Sequence, residues 1–291
     1  MNAIIIAGPT ASGKTRLGIE LAKNLGGEII SCDSMQIYKE IPICSAAATS
    51  EEMQGIPHHL LGIVDFKTPF SVVAWREEAI KACQDIEKRG KMPIFVGGTG
   101  MYVHSLLYKP NFFAKGDENL RNELNQLSCE DLYARVTSLD KDTHINQNDK
   151  KRLVRFLEIY SLTGEVPKKD DWKEKNTDIS CKLFCISPPR EKLYERINAR
   201  VDQMLAQGLV EEIKVLHAQG ITEQDQCYKA IGCRQLIDYF ESRCTFDEAI
   251  EAIKRESRRY AKRQLTWMRG EEDAIWLNTD NPLNEIMGKI Q

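Results

Sequence analysis

Residues 8 to 15 read Gly-Pro-Thr-Ala-Ser-Gly-Lys-Thr, and they restrict the fold more than any other stretch. An apolar run, Ala3 to Ala7, leads into them. After them Leu17, Leu21 and Leu25 recur at helical spacing until Gly26-Gly27, a usual helix stop. Gly8, Gly13, Lys14 and Thr15 therefore fit G-x-x-x-x-G-K-[ST] in the context that gives the pattern meaning, between a buried strand and a helix. The glycines let the loop Gly8, Pro9, Thr10, Ala11, Ser12, Gly13 turn backbone N–H groups inward around phosphate oxygens. The helix start adds partial positive charge. Lys14 neutralises a terminal phosphate, and the Thr15 hydroxyl is placed to hold Mg²⁺.

The rest of the chain supports an α/β fold. Glu28–Cys32 and Met92–Val96 read as strands, and Ser71–Arg89 as a helix with Ser71 as its N-cap and Gly90 beyond its end. A further helix runs to Leu107 after the turn Gly97-Gly98-Thr99-Gly100. Residues 40 to 70, with Pro42, Pro57 and Pro69, read as irregular. Such strand–helix alternation is that of a parallel sheet flanked by helices, a P-loop NTPase-like core. Residues 112 to 180 are polar and helix-like, so they read as a helical insertion between core segments 1–111 and 181–291. Lys182–Ile186 resumes the strands, a long helix and two or three more helices follow, and Ala274–Asn278 closes as a last short strand.

Composition excludes some classes. No apolar run approaches 18 residues, and the N-terminus lacks the basic segment and cleavage site of a leader, so no membrane span and a cytoplasmic location are expected. Nine scattered cysteines without a C-x-x-C pair fit reduced thiols, not a disulfide framework or a zinc site. The net charge of −3 hides a segregated distribution. Lys254 to Arg269 carries +6 in 16 residues and leaves −9 for the remainder. This is either a polyanion-binding face or a solvated helix with basic residues toward its C-terminus.

Strand ends narrow the chemistry. A nucleotide-splitting protein of this kind wants a metal-holding acid at the end of another strand. Here Met92–Val96 ends in glycines and Thr99, while Glu28–Cys32 ends in Asp33. Ligands gather outside the carboxyl ends of parallel strands, so Asp33 and Thr99 are expected to face the phosphate held by Lys14. Asp33 there is a metal ligand, a general base on a second substrate, or only a turn cap. Ser34, Met35 and Gln36 offer groups suited to reading the edge of a base.

Several stretches together resemble the tRNA dimethylallyltransferases: GPTASGKT at 8–15, DSMQIY at 33–38, PHHL at 57–60 and PFSVVAWREEA at 69–79. They continue with VGGTGMYV at 96–103, RLVRFLEIYSLTG at 152–164, RVDQMLAQGLVEE at 200–212 and YAKRQLTWMR at 260–269. The resemblance spans almost the whole chain. It implies that the loop holds the diphosphate of dimethylallyl diphosphate, and that the alkyl group passes to N6 of the adenosine 3′ to the anticodon with release of pyrophosphate. It implies Asp33 as the base, and Lys14, Thr15 with Mg²⁺, the loop N–H groups and Thr99 as partners of the leaving group. Arg200 is a further candidate clamp on the diphosphate, or else a surface ion pair. Asp33, Ser34, Met35, Gln36 and Thr99 are then expected around the flipped adenosine. Lys151, Arg152, Leu153, Val154 and Arg155, which stand where the family reads Q-R-L-x-R, are expected on the anticodon stem-loop of tRNA.

The chain departs from the family in places. The usual G-T-A-K-P reads Cys44-Ser45-Ala46-Ala47-Ala48, so no role passes to that lysine, and a common tyrosine is Cys233. The resemblance is to the bacterial form, so no C-terminal zinc finger is expected. His58 and His59 are expected to pack or hydrogen-bond, and a monomer is expected. Three rival readings are an enzyme alkylating free adenine nucleotides, a small-molecule kinase with Arg196 and Arg200 as fingers, and a non-catalytic RNA-binding protein. The insertion and basic helix oppose the first, the two strand ends the second, and the intact Lys14, Thr15, Asp33 and Thr99 set the third.

Overall fold

The computed structural model describes residues 1–109, 116–167, 174–176, 178–278 and 280–290. Among the described residues the strands are β1 (Asn2–Ala7), β2 (Glu28–Cys32), β3 (His58–His59), β4 (Pro93–Gly97), β5 (Ser180–Ile186) and β6 (Ile275–Leu277). These six form one parallel sheet in the order β3-β2-β4-β1-β5-β6. The helices are α1 (Lys14–Leu25), α2 (Ser50–Met53), α3 (Val72–Lys88), α4 (Gly100–Leu107), α5 (Glu118–Gln126), α6 (Cys129–Leu139) and α7 (Lys150–Thr163). They continue with α8 (Arg190–Ala206), α9 (Leu209–Ala218), α10 (Cys233–Phe240), α11 (Phe246–Arg269) and α12 (Pro282–Ile290). The chain divides into two compact units, Met1–Leu107 with Thr177–Gln291, and Tyr108–Asn176.

The apolar run of β1 has a direct cause. Ala3, Ile5 and Ala7 enter one hydrophobic cluster, while Ile4 and Ile6 enter another on the opposite face. A strand buried on both faces has no polar side to show, so its sequence cannot alternate. The larger cluster holds Trp75, Phe95 and Tyr102 together with side chains of α9, α10 and α11. The smaller one packs α1 and α12 against Ile29, Ile94 and Phe184. Trp75 stacks on Tyr102 with ring centroids 4.2 Å apart, and its indole N–H donates to Ser31 O at 3.1 Å. That bond satisfies the one polar group this fully buried ring carries.

Two elements lie where the sequence reads as irregular: α2, with a Thr49–Glu52 capping box, and the edge strand β3. A two-residue strand has no periodicity to read. His59 is held there by Glu28, whose carboxylate also binds Arg89 and Lys91 while itself only 1% exposed. His58 Nδ1 lies 2.8 Å from Ile56 O. Both histidines thus hydrogen-bond, and among the described residues no group of three His, Cys, Asp or Glu side chains is placed to hold a metal.

In the helical unit, α5, α6 and α7 close over Leu124, Leu132, Val136, Leu153 and Phe156. Glu158 is fully buried there and pairs with Arg121 at 2.7 Å and Arg155 at 2.6 Å. The expected boundary at 111/112 falls within 110–115, outside the described residues. The expected end at 180 falls on the first residue of β5, because Ser180 and Cys181 already pair with Asn2 and Ala3.

Candidate active site

The strand order sets the site. β2, β4 and β1 are neighbours, so the loops after them meet at one edge. These loops begin at Gly8, Asp33 and Gly98. Backbone bonds join them: Gly8 N–H donates to Gly97 O at 3.4 Å, and Thr99 N–H to Cys32 O at 3.2 Å. In the first loop Ala11 and Gly13 adopt left-handed conformations, with φ of 60° and 92°. Gly98 must be glycine for space, since a Cβ there would lie 2.2 Å from the Gln264 amide nitrogen.

Above this edge lies a cavity of about 260 Å³. Its lining includes the polar side chains of Lys14, Thr15, Asp33, Arg200, Tyr260 and Gln264 and the apolar ones of Ile197, Val201, Met204, Ile231 and Ile253. Lys14 Nζ donates to Pro9 O at 3.3 Å. Burial, and then the neighbouring Arg200 charge, lower its pKa to about 8 against the opposing pull of Asp33. Burial also lowers the pKa of Arg200, while Glu52 and Asp33 favour its charged form. Arg200 Nη2 donates to Ala46 O at 3.2 Å, so this residue faces the cavity and is not a surface ion pair.

Asp33 Oδ1 accepts the Met35 N–H at 2.9 Å, which fixes the turn after β2. Thr99 does not line the cavity; its Oγ1 accepts the Ser34 N–H at 3.0 Å and it lies beside the Tyr260 phenol. Burial and then Asp33 hold that phenol well above the ordinary range, so it keeps its proton. Gln36 is occupied: Oε1 accepts from Ser31 Oγ at 2.7 Å, and Nε2 donates to Ala46 O at 3.2 Å and Ser45 O at 3.4 Å. Its amide supports the Cys44–Ala48 wall, which also receives the Glu212 carboxylate on Ile43 N–H and Cys44 N–H, each at 2.8 Å.

In the helical unit, the side chains of Leu153 and Val154 are 0% and 4% exposed. They pack its core, and this corrects their assignment to an RNA surface. Arg152 is exposed beside Asp149 at 3.3 Å, Lys151 is exposed, and Arg155 is engaged by buried Glu158. On α11, Lys254 pairs with Asp202 at 2.7 Å, and Arg258 donates to Asn198 Oδ1 at 2.6 Å. Arg255, Arg259, Lys262 and Arg263 remain exposed.

Sequence reasoning gave Tyr260, Gln264 and Trp267 no part in the site. They recur along α11 at helical spacing and meet Thr99, Gly98 and Gly100 respectively. The signal was present as polar or amphipathic residues on the inward face of a helix whose charges drew attention outward.

A family model described as IPP transferase matches residues 36–271, and one described as isopentenyl transferase matches residues 1–62. The tRNA dimethylallyltransferase of Geobacillus thermodenitrificans is 43% identical over 289 residues, covering 96% of this chain and 91% of that protein. Its counterpart in Bacillus mycoides is 42% identical over 303 residues, covering 99% and 95%. The solved full-length tRNA isopentenylpyrophosphate transferase of Bacillus halodurans has a TM-score of 0.76 at 38% identity, covering 99% of this chain and 95% of that one. A eukaryotic dimethylallyltransferase acting on tRNA has a TM-score of 0.85 at 31% identity, covering 98% and 77%. With a family model over most of its length and relatives this similar from end to end, the chain belongs to the IPP transferase family, among the tRNA dimethylallyltransferases.

Proposed function

We propose that the protein transfers a dimethylallyl group from dimethylallyl diphosphate to N6 of the adenosine 3′ to the anticodon in tRNA, releasing pyrophosphate. The observation that carries this reading is the mixed lining of the cavity, which joins Lys14, Arg200 and Asp33 with Ile197, Val201, Met204, Ile231 and Ile253. A diphosphate needs the first set and a short branched hydrocarbon the second.

The diphosphate lies in the loop of residues 8–15, with Lys14 and Arg200 as its fixed cations. Negative charge grows on the leaving oxygen as its bond to the allylic carbon breaks, and these groups meet it without reorganisation. The N6 lone pair forms the new C–N bond, and Asp33 accepts the amine proton. An adenine stacked in RNA cannot reach such a cavity, so the base leaves its stack first. The Thr15 hydroxyl, an oxygen donor lining the cavity, suits Mg²⁺ and would help to hold it. When bound, that ion would supply positive charge toward the diphosphate. Thr99 acts through Ser34 and the turn that carries Asp33. RNA phosphates meet Arg255, Arg259, Lys262 and Arg263 on α11 and, in the helical unit, Lys151 and Arg152. No described helix is long and apolar enough to cross a membrane.

Incubation with Mg²⁺, labelled dimethylallyl diphosphate and unmodified tRNA, followed by digestion of the RNA, tests the reading. Label in N6-isopentenyladenosine is expected. Label on free AMP or ADP instead would assign a small-nucleotide substrate. Consumption of ATP without alkyl transfer would overturn the reading.

A further inference from the structure

Gln264 is 5% exposed, and its primary amide is spent on two loops. Oε1 accepts the N–H of Thr10, in the phosphate loop after β1, at 2.9 Å. Nε2 donates to the carbonyl of Gly98, in the turn after β4, also at 2.9 Å. The two loop groups are a donor and an acceptor, so only a side chain with both functions can serve them together. The fit is close: a methyl group on Gly98 would strike Nε2 at 2.2 Å.

The phosphate loop needs such a restraint. Ala11 sits at φ 60°, where residues with a Cβ seldom rest, so the loop shape is imposed by its surroundings. Gln264 holds the Thr10 N–H away from the ligand, as Gly97 O holds that of Gly8 and Pro9 O that of Ser12. The direction of the N–H groups of Ala11, Gly13, Lys14 and Thr15 follows from these anchors. The same amide fixes Gly98 next to Thr99, which carries the Ser34 N–H.

We infer that Gln264, which itself borders the cavity, is a positioning residue for the donor diphosphate, its amide acting through Thr10 and Gly98. This rests on the proposed placement of dimethylallyl diphosphate in the loop. Pyrophosphate with Mg²⁺ is the probe, titrated by calorimetry, alongside steady-state kinetics with both substrates. Gln264→Met keeps length and volume and removes both hydrogen bonds. It is expected to raise the pyrophosphate Kd and the KM for dimethylallyl diphosphate together by about tenfold, the scale of an orphaned buried hydrogen-bonding group. The KM for tRNA is expected to stay within about twofold, since no phosphate contact is lost. Gln264→Asn, which can keep one bond, is expected between the two. Gln264→Leu, a second variant without either hydrogen bond, is expected to give the same split. It also carries the test should Gln264→Met fail to fold. Unchanged pyrophosphate affinity in these variants would overturn the inference. So would equal losses toward both substrates in step with a lowered thermal midpoint, the mark of a packing role alone. The binding arm is independent of turnover. A wild-type protein that binds pyrophosphate but transfers no dimethylallyl group would defeat the proposed reaction while leaving the role of Gln264 measurable.

Discussion

Lys14 and Asp33 share one cavity with opposite charges, and each has a consequence at the bench. Lys14 titrates at about 8 because burial and Arg200 disfavour its charge. A bound diphosphate favours that charge, so pyrophosphate binding is expected to weaken as the pH rises through about 8, where the empty site loses its proton. Calorimetry on the wild type and Lys14→Arg in parallel checks this, since the anion's own titration is common to both; the arginine variant is expected to show the flatter profile. Asp33→Asn keeps an oxygen for the Met35 N–H and removes the base. Its single-turnover transfer rate is expected to fall ~100-fold or more, with the tRNA Kd within about twofold. Transfer at the wild-type rate would place the base elsewhere. These residues were legible because Asp33 follows a strand and Lys14 opens a helix, positions where chemistry and chain order coincide. Gln36 was legible as polar but not as occupied; its partners, Ser31 and the Ala46 carbonyl, depend on how the 40–48 segment folds back. Leu153 and Val154 were misread because a motif copied as a string does not reveal which of its residues face inward.

At the scale of elements, strand β2 is anchored at the end opposite Asp33. Glu28 is buried there among Arg89, Lys91 and His59, and Arg89 first, with help from Lys91 and His59, holds its carboxyl well below the usual range. Its contribution to stability is therefore complete above the ordinary glutamate pKa of about 4.3 and is lost as the pH falls below it. Glu28→Gln is expected to cost about 2 kcal/mol at neutral pH, read from urea unfolding. The difference between wild type and variant should shrink on going from pH 6 toward pH 3. A constant difference would mean that the carboxylate charge is not what holds the strand. The long elements were readable from their spacing and caps: Ser71 accepts the Ala74 N–H as an N-cap should, and Gly26 ends α1 with φ 62°. The short ones were not, since β3 exists only through its pairing with β2 and the contact between His59 and Glu28.

At the scale of the whole molecule, a chain of net charge −3 gathers +6 between Lys254 and Arg269. Of the seven basic residues between 254 and 269, Lys254 and Arg258 are spent on α8, so the count in the sequence overstates the charge available to a partner. Replacing Arg255, Arg259 and Lys262 by Gln is expected to weaken tRNA binding. It should also reduce the slope of log K against log salt by about 2, as the loss of about three phosphate contacts requires. Filter binding at several salt concentrations checks this, and an unchanged slope would remove α11 from the RNA surface. The class of fold was legible from strand–helix alternation. Which helices cover which face of the sheet was not, because that follows from packing among residues far apart in the chain. The borders of the sheet have a further consequence. Strand β3 spans two residues and β6 three, and each lies at an edge. A second chain seeking to extend the ladder would meet only two or three residues on either outermost strand, a brevity that blunts amyloid-like growth from these borders in a crowded cell.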